Sequence, residues 1–193
     1  MNKNRLEAFS DGVLAIIITI MVLEFKVPND TTFESVIKLS HKFLSYILSF
    51  IYVGIYWNNH HHMMHTVKRV NGKILWANLH LLFWLSLIPF ATAWIGEHHF
   101  ASFPMMLYGI ILLMNAIAYF ILQNAIIASH GKDSVLSKAV GKDVKGKISL
   151  VLYLIAVVLT QFYTLISGIL YIIVAILWLI PDKRIEKTLE QEK

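Results

Sequence analysis

Residues 148–181 read ISLVLYLIAVVLTQFYTLISGILYIIVAILWLIP, 34 positions without a single Asp, Glu, Lys or Arg. As one helix this stretch would reach about 50 Å, whereas a bilayer's hydrocarbon core is roughly 30 Å thick. Near its middle stand Thr160-Gln161-Phe162-Tyr163-Thr164, followed by Ser167-Gly168, and a polar interval of this kind suits a tight turn. The stretch is therefore expected to form two short membrane helices, 148–161 and 165–181. That reading decides whether the chain crosses a bilayer an odd or an even number of times.

The rest of the chain has the same character. Apolar residues make up 57% of 193 positions and charged residues 15%, against about 45–50% and 25% in soluble domains. Mean hydropathy is +0.63, and no polar block is long enough for a separate soluble domain. The expected organisation is one all-α membrane domain over 1–193. Cysteine is absent, which excludes disulfides, thiolate metal sites and cysteine nucleophiles. The net charge of +5 does not point to nucleic acid, because membrane proteins gather Lys and Arg in cytoplasmic loops. Lys3 and Arg5 before an apolar run resemble a signal peptide's start. Glu7, Asp11 and the lack of a small-x-small cleavage site argue that the segment is retained.

Further runs free of charge mark spans at 43–59, 74–96 and 103–129. The first is shortened by histidines 60–65, the second carries Asn78 and His80, and the third has Pro104 near its start, where a missing N–H costs a helix nothing. The opening segment is unusual. Only 12 residues separate Asp11 from Glu24, about 18 Å of helix, so the span is extended to 6–25 and takes in three carboxylates. Such a helix should face protein or water, unless it lies at the interface or re-enters. Six spans with both ends in the cytoplasm put fourteen of the seventeen basic residues inside, leaving Lys26, Lys38 and Lys42 in the first outer loop. The positive-inside rule favours that arrangement over five spans. The expected location is the plasma membrane.

The N-terminal string Arg5-Leu6-Glu7-Ala8-Phe9-Ser10-Asp11-Gly12 is the most informative in the chain. Arg5 and Asp11 lie about 240° apart on a helix, so each is expected to seek a partner on another helix. Alternatively, Ser10 or Asp11 caps a helix that begins near Gly12. The pattern Arg-x-x-x-Phe-Ser-Asp-Gly, an Ile/Leu-rich stretch with one Thr, and then Lys26-Val27-Pro28 resembles the signature of the transmembrane-protein-175 family. These are bacterial relatives of the endolysosomal potassium channel. Tyr56-Trp57-x-x-His60-His61, Trp76-x-Asn78 and Pro89-Phe90-x-Thr92 are similar to that family's second and third helices.

The resemblance implies a six-helix subunit in a homotetramer, with four first helices around a central pore that conducts K+. It implies modest selectivity for K+ over Na+, set by an apolar constriction of Ile16, Ile20 and Leu23 with Thr19 beside them. No Thr-Val-Gly-Tyr-Gly carbonyl filter occurs. Periodicity alone leaves the pore face open, because Leu14, Ile18, Met21 and Phe25 form an equally apolar opposite stripe. The resemblance also implies a structural network of Arg5, Phe9, Ser10, Asp11, His60, His61 and Asn78, with His60 or His61 as a partner for Asp11. No cofactor is implied.

Two other readings start from the residues. His60-His61-His62-Met63-Met64-His65 places His61 and His65 at i, i+4, as zinc ligands can stand. A membrane metalloenzyme would need a third ligand, and no carboxylate or Cys is nearby in sequence. A helix end with interfacial histidines is the plainer account. A small-solute transporter would often carry an internal repeat, and none is visible. Trp57, Trp76, Trp94 and Trp178 lie near span ends, where indole belts are ordinary.

Overall fold

The protein is described here by a computed structural model covering residues 2–179. The tail and the last two positions of the expected 165–181 span lie outside the described residues. All regular structure among the described residues is helical. The helices are α1 (Lys3–Leu23), α2 (Phe33–Ile37), α3 (Ser40–His65), α4 (Gly72–Leu85), α5 (Ile88–Glu97), α6 (Ser102–His130), α7 (Val135–Val140), α8 (Val144–Leu159) and α9 (Thr164–Leu179).

Among the described residues, three rods are long and apolar enough to cross a membrane: α1, α4 and α5 taken end to end, and α6. Helix α3 runs 26 residues, but its histidine-rich end dilutes its apolar character. Helices α8 and α9 are shorter, at 16 residues each. One ends at Leu159 and the other starts at Thr164, joined by a tight turn in which Tyr163 N–H donates to Leu159 O at 2.7 Å. The Ser167 hydroxyl donates across to Ala156 O at 2.8 Å, so backbone freed at the turn is satisfied within the hairpin.

The long helices run alternately up and down. At one end Lys3 lies 3.5 Å from His65 O, His130 Nε2 accepts from Lys68 N–H at 3.0 Å, and Gln123 meets Asp143. At the other, Phe25 packs on Phe43 and Lys42 pairs with Glu97 at 2.6 Å. That second end also carries the α8–α9 turn. Short helices α2 and α7 interrupt what the sequence presents as loops, each opened by a hydroxyl cap, Thr32 and Ser134.

The span expected over 74–96 lies within a crossing of Gly72–Glu97, built of two helices end to end with a break at Ser86–Leu87, three residues ahead of Pro89. Proline has no N–H for the carbonyl four residues back and its ring crowds that carbonyl, so the ladder cannot pass straight through. One local alternative fails: Ser10 and Asp11 do not cap a helix. Helix α1 already starts at Lys3, where the Asn2 side chain accepts from Asn4 N–H at 3.1 Å.

The core is sealed by close approaches and hydroxyl bonds, as membrane helices require when lipid is as apolar as their own side chains. Gly109 on α6 leaves room for the Tyr171 ring, whose hydroxyl donates to Met105 O at 3.2 Å. Tyr52 in turn donates to Tyr171 O. Ser49 joins Tyr108 Oη at 3.0 Å and Thr92 Oγ1 at 2.6 Å, tying α3, α5 and α6 together deep in the bundle.

Candidate functional site

The first helix has two different sides. Leu6, Ser10, Leu14, Ile17 and Met21 are buried against α3, α4 and α5. Their spacing of three and four residues makes one stripe. On the far side Ile16, Ile20 and Leu23 are 59%, 42% and 74% exposed, and Thr19 is exposed with its hydroxyl donating back to Ala15 O at 2.9 Å. Of the stripe opposite, Leu14 and Met21 are buried while Ile18 and Phe25 are partly so. Arg5, Phe9, Asp11, Gly12 and Ala15 share the uncovered side.

The buried stripe is held by a directional hydrogen-bond chain. His60 Nε2–H on α3 donates to Asn78 Oδ1 on α4 at 2.7 Å. Asn78 Nδ2 donates to Ser10 Oγ at 3.0 Å, and Ser10 Oγ–H donates to Leu6 O at 2.9 Å. All three side chains are buried, so each would cost free energy without its partner. Because the amide oxygen can only accept, the chain also fixes the His60 tautomer.

The structure therefore brings Ser10, His60 and Asn78 together, and it leaves Arg5, Phe9, Asp11 and His61 outside that chain. Asp11 is exposed and takes neither Arg5 nor a histidine. Its carboxylate accepts from Trp57 Nε1–H at 3.1 Å. The physical reason is registry: Trp57 stands one turn before His61 on α3 and stacks on its ring, so the indole reaches the carboxylate first. Among the described residues the Arg5 guanidinium has no ion pair or hydrogen bond. His61 meets His65 instead, Nε2 to Nε2 at 3.1 Å. His65 is held below the usual imidazole range by partial desolvation and by His61 beside it. His80 accepts from Trp84 Nε1–H at 3.0 Å, within its own helix. Among the described residues, no three His, Asp or Glu side chains gather where a metal ion could be held.

Residues 5–89 match the family model described as "Endosomal/lysosomal potassium channel TMEM175". A protein named as a potassium channel from Chryseobacterium sp. (strain P1-3) is 59% identical over 99% of this chain and 100% of that protein. This chain belongs to the TMEM175 family. The crystal structure of a lysosomal potassium-selective channel TMEM175 homolog from Chamaesiphon minutus superposes with a TM-score of 0.77 at 31% identity, covering 91% of this chain and 95% of that one. A potassium channel from Streptomyces collinus is 36% identical over 51% of this chain and 50% of that protein. With several apolar helices and this membership, the chain is a multi-pass membrane protein. The site residues that the family resemblance did not supply are Trp57 as the Asp11 partner and Asn2 as the cap. The first had a signal in the sequence, since Trp57 lies inside the matching Tyr56-Trp57-x-x-His60 string.

Proposed function

We propose that the protein is a potassium channel in which four copies surround a central pore lined by the uncovered side of α1. One observation carries this reading: α1 buries one stripe in its own chain and leaves Ile16, Thr19, Ile20 and Leu23 bare. That bare side also bears Arg5 and Asp11, charged groups that lipid does not solvate well. A partner copy or water suits it better than acyl chains. Homology to proteins named potassium channels supports the permeant ion, and relatives of that kind do not favour a metalloenzyme or a solute transporter.

In this reading α1, α3, α4–α5, α6, α8 and α9 make six crossings, with Lys and Arg concentrated on the cytoplasmic side of the plasma membrane. The rings of Ile16, Ile20 and Leu23 exclude water when narrow. An ion passes only by shedding part of its hydration shell, which is cheaper for K+ than for Na+, and the Thr19 hydroxyls offer partial replacement. The outcome is modest selectivity rather than that of a carbonyl cage. The Ser10–Asn78–His60 chain positions α1 and does not touch the ion.

The test is a flux measurement on the purified protein in liposomes. Ile16→Asn and Leu23→Asn put hydrogen-bonding atoms into the constriction, so K+ flux should rise and the K+/Na+ ratio fall. Ile18→Asn should weaken packing and leave the ratio unchanged. A changed ratio at Ile18 with none at Ile16 would show that the other face lines the pore.

A further inference from the structure

Of the histidines that close α3, only His60 takes part in the chain that seats α1. His61 and His65, one helical turn apart, are both exposed. Their Nε2 atoms stand 3.1 Å from one another, with ring centroids 4.4 Å apart. An i, i+4 spacing puts two side chains on one helix face, and it lets two imidazoles share one metal ion. An ion about 2.0–2.1 Å from each of two nitrogens, with roughly 90–110° between the bonds, sets those nitrogens about 2.8–3.4 Å apart. The pair already holds that separation.

The surroundings suit an ion. Metal ligation needs neutral imidazole, and desolvation, with His61 and Lys3 beside it, holds His65 below the usual imidazole range. In the metal-free pair one nitrogen carries the proton that the other accepts. Once that proton sits on Nδ1, both Nε2 lone pairs are open. Glu7, on the second turn of α1, brings negative charge to the same end of the bundle. Lys3 lies 3.7 Å from its carboxylate and 3.5 Å from His65 O, so the ammonium that would repel an ion is itself offset. Two protein ligands fall short of the three or four in catalytic and structural zinc sites. They suit an exchangeable ion that keeps water in its remaining positions.

We propose that His61 and His65 bind a divalent first-row transition ion, of which Zn2+ is the type, at the histidine-rich end of α3. Imidazole suits such ions, whereas a hard ion such as Mg2+ prefers oxygen. The site adjoins an anchor of α1. His61 stacks on Trp57 with ring centroids 6.0 Å apart, and the Trp57 indole donates to Asp11 on α1. An ion that fixes the His61 ring therefore bears on the contact that holds this charged side of α1.

The experiment uses the full chain in detergent, purified without a polyhistidine tag, and reads ZnCl2 uptake by equilibrium dialysis and elemental analysis near neutral pH. The wild-type protein should take up one Zn2+ per chain saturably, and excess MgCl2 should not displace it. His61→Gln and His65→Gln should each weaken uptake at least about tenfold, since losing even an outer-shell partner of a metal costs that much. Both side chains are exposed, so the fold should survive either change, and should one variant fail to fold the other still decides. His62→Gln, next along the helix, should leave uptake unchanged. So should His41→Gln, whose ring meets His99 at the other end of α3. Uptake should fall as pH is lowered through the imidazole range, where protons compete for the nitrogens. Absence of saturable uptake, displacement by Mg2+, or full uptake in His65→Gln would overturn the proposal. Binding is read without ion flux, so failure of the channel reading and failure of this one are separable.

Discussion

Helices α1 and α9 both leave a long apolar face uncovered, and the two faces differ in what else they carry. The exposed side of α9 is Leu165, Ile166, Ile169, Ile172, Ile173, Ile176, Leu177 and Leu179, wholly aliphatic. The exposed side of α1 mixes Ile16, Ile20 and Leu23 with Arg5, Asp11, Gly12, Ala15 and Thr19. Lipid tails are a good solvent for the first and a poor one for the second. Exposure alone therefore does not tell a lipid face from an assembly face in a membrane protein. The polar and small residues dispersed along the stripe do.

The sharpest way to break this contrast exploits the lack of cysteine. Leu23→Cys should cross-link between chains almost completely on mild oxidation, since the proposed pore brings the four copies of this position together. Ile176→Cys should stay monomeric on a non-reducing gel. The reverse pattern would exchange the roles of the two helices. Next in size, Ile172→Asp at the middle of α9 should cost insertion about 3 kcal/mol. That loss is measurable as the inserted fraction, although α1 tolerates Asp11 on its own exposed side. If Ile172→Asp inserts normally, the α9 face is not in lipid.

A third change tests how α1 is kept in register. Asn78→Leu removes both bonds of the buried amide and strands the His60 donor, costing about 2 kcal/mol. The thermal midpoint in detergent should fall and the K+/Na+ ratio should shift with it, while Tyr163→Phe at the α8–α9 turn should move neither. The smallest effect belongs to the Lys42–Glu97 pair. The Lys42 hydrogen bond holds the Glu97 carboxyl below its ordinary range. Its contribution is complete above the usual carboxylate pKa and disappears as pH falls through the lowered folded value. Lys42 is 22% and Glu97 52% exposed, so Lys42→Met should cost less than about 1 kcal/mol at pH 7. The difference from wild type should vanish when melting is repeated in strong acid.

Much of the chain's character was legible from residue patterns. The family resemblance stood in the first 28 residues, and the polar interval 160–164 coincides with the turn between α8 and α9. Other features were hidden for physical reasons. A proline inside an apolar run does not change hydropathy, so the break ahead of Pro89 left no mark on a reading by composition. Ser10 has the chemistry of a cap and of an i−4 back-bond alike. Asn2, eight residues earlier, decided between them. Trp57 read as an interfacial indole because nothing local distinguishes a belt tryptophan from one that donates to a carboxylate on another helix. The tyrosines of the core, scattered over α3, α6, α8 and α9, form no stripe on any single helix.

The break between α4 and α5 has a mechanical side. Helix α1 is fastened twice to this kinked rod, near its start by Asn78 on α4 and near its end by Thr92 on α5, whose hydroxyl lies 3.9 Å from Met21 Sδ. Were the rod straight, these two fastenings would be rigidly coupled. With the helix interrupted at Ser86–Leu87 between them, the two fastenings belong to separate helical segments, and Leu23, two residues beyond Met21, lies next to the second of them.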